Sequence, residues 1–134
     1  MNDSLLKQYI EELIKCHPQI KSIWLIGSRA NELPGDDSDW DILVFANQEV
    51  LTKLRERPIL KRKHFDLLIV YNGQDFQEAW PAGEPKSGNL KEWEWKEISS
   101  KDAVYKSVKS KGKDWFKEGM TEVKTAKAVK LWPV

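Results

Sequence analysis

Apolar positions in this chain fall into short blocks parted by polar or glycine-bearing stretches. Leu5, Leu6, Tyr9, Ile10, Leu13 and Ile14 recur at helical spacing behind Ser4, a candidate N-cap, and the stripe stops near His17-Pro18. That spacing predicts a helix. Residues 20–26 and 38–45 read as two buried strands, and residues 47–57, with Val50, Leu51 and Leu54 apolar, as a short helix halted before Pro58. A long strand is expected over residues 59–71, polar and basic where it starts and wholly apolar where it ends.

The second half is less regular. Asn72-Gly73 is a turn signal, and residues 81–89 read as an exposed loop. Trp93 and Trp95 alternate with Glu92, Glu94 and Lys96, which predicts a half-buried strand. Ser99 with Asp102 three residues on resembles a capping box, so a helix carrying Val104, Tyr105 and Val108 is expected, broken at Gly112. Trp115, Phe116, Met120 and Val123 suggest a last helix, frayed through Leu131-Trp132-Pro133. Strands alternating with helices predict an α/β sheet domain. At 134 residues the expectation is a single domain over residues 1–134, long enough to bury roughly two-thirds of its unfolded surface.

Composition narrows the classes. The apolar runs span only a handful of residues, so no membrane helix is expected. Met1-Asn2-Asp3-Ser4 lacks the basic-then-apolar layout of a signal peptide, and the one cysteine, Cys16, forms no internal disulfide; both fit a cytoplasmic protein. Cys16-His17 has no second cluster to complete a zinc site. The formal net charge is only +1, yet its distribution is uneven. Residues 31–49 carry acids alone, whereas lysines outnumber carboxylates from Lys101 to Lys130. The first segment attracts cations; the second is either a solvated face or a surface for an anionic partner, nucleic acid included.

The acidic segment carries the chemistry. The run Ile23-Trp24-Leu25-Ile26 ends in Gly27-Ser28, and after ten intervening residues Asp39-Trp40-Asp41 opens the run Ile42-Leu43-Val44-Phe45. In a strand, Asp39 and Asp41 project to one face, and two carboxylates so placed repel unless a divalent cation lies between them. Hard oxygen donors favour Mg²⁺ or Mn²⁺. Asp66, inside a third apolar run, can reach the same point if the strands pair. Gly27 permits close backbone approach to an anion, Ser28 adds a hydroxyl and Arg29 a positive charge, all suited to a triphosphate.

Each part has a plainer alternative. Gly-Ser after a strand and Asp-x-Asp are common separately, and Asp36-Asp37-Ser38-Asp39 fits a solvated turn. Arg62 and His64, on the strand face of Asp66, could neutralise it without metal. An EF-hand beginning at Asp37 fails because Ile42 holds the glycine position and Gln48 the closing glutamate position. The Walker pattern is absent. Trp80, Trp93 and Trp95 could stack a base, or serve as core and cover residues.

Taken in order, Gly27-Ser28, Asp39-x-Asp41 and Asp66 resemble the DNA polymerase beta-type nucleotidyltransferase superfamily, in particular its small prokaryotic members known as minimal nucleotidyltransferases. Ser38 and Ala30 agree as well, and the resemblance covers about residues 5–71. It implies a small mixed β-sheet backed by helices, with residues 72–134 as an extension completing the sheet and adding helices. It implies that Gly27 and Ser28 bind the triphosphate, that Asp39 and Asp41 bind both metals, and that Asp66 is the third carboxylate beside the acceptor hydroxyl. The expected activity is NTP-dependent transfer of a nucleoside monophosphate, from ATP in the first instance, with release of pyrophosphate. Some such proteins act as antitoxins that attach AMP to a toxin, while others modify antibiotics or RNA. The alternative function is therefore an antitoxin or adaptor that works mainly by binding a partner protein.

Overall fold

The computed structural model describes residues 3–30, 40–81, 87–110 and 121–133, with the side chains of Asp3, Ser28, Arg29 and residues 107–110 and 121–124 outside the description. Helix α1 (Asp3–Cys16) leads into β1 (Ser22–Ile26), the short helix α2 (Gly27–Ala30), β2 (Trp40–Phe45) and helix α3 (Gln48–Glu56). A 3₁₀ turn (Pro58–Leu60) precedes β3 (Phe65–Val70). There follow β4 (Asp75–Glu78), β5 (Ser87–Asn89), β6 (Lys96–Glu97), β7 (Asp102–Ser110) and β8 (Thr121–Trp132). All eight described strands join one sheet in the order β5-β4-β3-β2-β1-β8-β7-β6. The β2–β3 pair is parallel and the other described pairs are antiparallel, so the sheet is mixed. Among the described residues no helix is long and apolar enough to cross a membrane.

The three apolar runs are unbroken because both of their faces are covered. On one face Ile23, Leu25, Ile42, Val44, Leu67 and Ile69 pack with Leu6, Tyr9, Ile10 and Leu13 of α1 and with Val50, Leu51 and Leu54 of α3. On the other, Trp24, Ile26, Leu43 and Val70 meet Phe76, Ala103, Tyr105, Ala126 and Ala128. Phe76 of β4 and Tyr105 of β7 stand far apart in the strand order, yet both rings touch Trp93, at centroid distances of 4.7 and 5.3 Å. The sheet therefore curls, and the turn carrying Trp93 and Trp95 caps the concave side. Asn47 caps α3, its side-chain oxygen accepting the Val50 amide at 3.0 Å.

Five expected elements differ. Residues 87–89, expected within an exposed loop, form the edge strand β5, paired with β4. The strand over residues 59–71 is shorter. Pro58 opens a 3₁₀ turn, residues 61–64 are exposed, and extended backbone starts only at Phe65, where pairing with Trp40 starts. Residues 92–96 are mainly a turn rather than a strand, closed by Glu94 N–H to the Lys91 carbonyl and Trp95 N–H to the Leu90 carbonyl, with Glu94 at φ 52°. Both tryptophans still face one core, which is what their alternation encodes.

The helix expected after Ser99 is β7. Ser99 Oγ does accept the Asp102 amide at 3.0 Å, but the turn so made launches a strand in which Ala103 and Tyr105 are buried and Lys106 is exposed. That period of two, and pairing with β8 along the whole strand, override the cap signal. Where a last helix was expected to reach Val123 and fray through residues 131–133, the chain forms β8. Gly112, Trp115, Phe116 and Met120 lie outside the described residues.

Candidate active site at the end of the central strands

Strand β1 ends at Ile26, and the chain turns at once. Gly27 adopts φ +76°, a left-handed conformation that glycine accepts without steric cost. A second constraint acts on the same residue. A β-carbon at Gly27 would fall on the Asp41 Oδ2 atom, with Asp41 Cγ at 3.1 Å. The Asp41 carboxylate thus occupies the space that any side chain at 27 would need.

Register explains this approach. Asp41 stands opposite Ile26 on one side and opposite Asp66 on the other. Register partners project to the same face of a sheet, so Asp41 and Asp66 stand side by side on adjacent strands about 4.8 Å apart. Their face is that of Ile26 and Leu43, while Trp40, with the opposite parity, is buried in the helix-side core. Asp41 is half-buried and Asp66 exposed.

The structure therefore gathers Gly27, Asp41 and Asp66. Ser28 and Arg29 follow Gly27 in α2, with their side chains outside the description, and Asp39 lies outside the described residues. Among the described residues no group of three or more His, Cys, Asp or Glu side chains converges. Two adjacent carboxylates are a hard-oxygen donor set, and their mutual repulsion is relieved by a divalent cation, so they fit Mg²⁺ or Mn²⁺.

Beside them lies a cleft of about 170 Å³ lined by Asp66 together with Lys61, Lys63, His64, Glu78 and Trp80, among others. Its loop is braced from behind. Arg62 donates to both carboxylate oxygens of Glu12, at 3.2 and 2.6 Å, and stands 5.8 Å from the Tyr9 ring centre. That hydrogen-bonded guanidinium holds the Glu12 carboxyl below its usual range. Arg62 is thus engaged with α1. Tyr9 donates its hydroxyl to the Leu60 carbonyl at 2.7 Å and stacks on Phe65, and burial pushes its pKa up. His64, at φ 74°, offers its carbonyl to the Trp40 amide at 2.7 Å.

Of the three tryptophans considered for base stacking, Trp80 lines the cleft, its indole N–H held by the Leu54 carbonyl at 2.9 Å. Trp93 and Trp95 instead pack against the second core. One site residue escapes sequence reasoning. The Gly27 amide donates to the Tyr105 hydroxyl at 2.9 Å, across 78 residues of chain. Nothing local to Tyr105 marks it; only the strand period shows that it faces inward.

The family model described as Polymerase beta, Nucleotidyltransferase matches residues 8–75, a span that contains Gly27, Ser28, Asp39, Asp41 and Asp66. Comparison with curated proteins and with solved structures gave no match. The matched span takes in half of the chain, the mixed sheet with its backing helices agrees with that fold, and this protein belongs to the polymerase beta-type nucleotidyltransferase family.

Proposed function

We propose that this protein is a metal-dependent nucleotidyltransferase, moving a nucleoside monophosphate from an NTP, ATP first among the candidates, to an acceptor hydroxyl. The observation that carries the reading is the contact of Gly27 with the Asp41 carboxylate, in a register that sets Asp66 beside it. Asp39 and Asp41 would hold Mg²⁺ or Mn²⁺, with Asp66 as the third carboxylate. Bound there, the metal would offset negative charge on the triphosphate.

The residues of the chain supply the rest. The Gly27-Ser28-Arg29 turn would bind the polyphosphate through backbone amides, a hydroxyl and a guanidinium. Asp66, in the lining of the cleft, would orient the acceptor hydroxyl and draw its proton. The acceptor oxygen bonds to the α-phosphorus, the bond from that phosphorus to the bridging oxygen of the β-phosphate breaks, and pyrophosphate departs.

The test is incubation with α-labelled ATP, Mg²⁺ and candidate acceptors, a partner protein and RNA among them. Transfer of label and release of pyrophosphate are expected. Asp41→Asn should lower the rate by roughly 10²–10³-fold, the usual cost of removing a group that stabilises transition-state charge. An Asp41→Asn protein as fast as the parent would remove the metal-binding role.

A further inference from the structure

Tyr105 lies in β7, far in sequence from every motif of the site, yet its hydroxyl takes the Gly27 amide at 2.9 Å. We propose that Tyr105 is a positioning residue for the nucleotide site, fixing the turn after β1 and, through that turn, the Asp41 carboxylate. The inference rests on the reading of Gly27 as part of a triphosphate-binding turn.

Three observations support it. First, the phenol is built in. Tyr105 is only 7 % exposed, its ring stacks on Trp93 at 5.3 Å and 30° and lies near Trp95 at 6.2 Å and 29°, and its register partner is the small buried Ala126. A ring so held cannot follow a turn that moves, so the turn must conform to the ring. Second, Gly27 is the residue with least conformational restraint of its own, and at φ +76° it needs an outside contact to select one state. Third, Gly27 touches the Asp41 side chain directly. Movement of the turn therefore opens or closes the space in which that carboxylate sits.

The arrangement also gives the second half of the chain a task. Strands β7 and β8 extend the sheet beyond β1, and the same strands carry the one hydroxyl described as contacting the Gly27 amide.

Tyr105→Phe tests the idea with the ring retained. Lys106→Ala, in the same strand as Tyr105, breaks the exposed ion pair of Lys106 with Glu94 of the turn and is the control. Amide exchange followed by NMR should speed up at Gly27 in Tyr105→Phe by about ten-fold or more, the scale of one lost partly buried hydrogen bond, while amides within β1 and β2 keep their rates. Affinity for a non-hydrolysable ATP analogue with Mg²⁺ should fall by a similar factor, and KM for ATP should rise more than kcat falls. Lys106→Ala should match the parent throughout.

Unchanged exchange at Gly27 would overturn the proposal, as would an equal loss of affinity in the control, or a parental affinity in Tyr105→Phe. If the parent binds no nucleotide, the nucleotidyltransferase reading fails by itself, and the exchange measurement still decides whether Tyr105 fixes the turn.

Discussion

Two glycines with positive φ differ in a way that isolates one contact. Gly73 (φ +91°) has nothing within 4 Å of where a β-carbon would stand, whereas at Gly27 the β-carbon meets Asp41. Gly73→Ala should cost about 1–2 kcal/mol, the backbone penalty alone. Gly27→Ala should cost visibly more in chemical denaturation, because the carboxylate must also be displaced. Equal midpoints for the two variants would show that the space beside Asp41 is not filled. His17 offers a separate test. It is 8 % exposed, its Nδ1 has no hydrogen-bond partner among the described residues, and burial, with Lys53 adding to it, lowers its pKa from the ordinary 6.5. The folded state therefore binds a proton less readily than the unfolded chain. The stability from neutral His17 is complete above pH 6.5 and declines as pH falls from there through the folded pKa. Thermal midpoints of the parent and His17→Leu, measured from pH 8 to pH 5, should differ in slope, with the variant the flatter.

Helix α3 shows why some elements could be read directly. Its cap, its apolar stripe and the proline beyond it agree, and Asn47→Ala should destabilise the protein by about 1 kcal/mol, measurable as a shift in the urea midpoint. Local signals and tertiary packing agree in this way at α1, β1 and β2 as well, whereas residues 61–64, expected within a strand, are exposed outside the sheet. The motif residues were legible for the same reason, since Gly27 closes an apolar run, Asp41 opens another and Asp66 interrupts a third. Ser99 is the opposite case. Its hydroxyl makes the local bond of a helix cap, but a serine turn can start either kind of element, and the partner strand decided which. The turn at Trp93 was illegible for a related reason. Side chains two apart share a face in a strand, and here a turn closed at Leu90 and Lys91 brings them to one core as well. Tyr105 was not legible as a site residue, because its significance lies in a hydrogen bond spanning 78 positions.

For the whole molecule, the central placement of β1 between β2 and β8 matters most. A chain ended after Glu97 would lose β7 and β8, exposing the edge of β1 and uncovering Trp24 and Ile26. It should lack the near-ultraviolet circular dichroism of packed tryptophans and the cooperative transition of the full chain, even though every family motif remains in it. Retention of both would mean that the matched span folds without the strands that follow. The same placement has a consequence in time. Leu25 pairs with Val129, so a central strand made early waits for a neighbour synthesised about a hundred residues later, at roughly 5–20 residues per second. For those seconds the nascent chain presents an apolar strand with a free edge, the kind of surface that chaperones hold and that neighbouring chains on a polysome can mispair with. Yield of the native protein should therefore depend on how quickly the ribosome reaches the final strand.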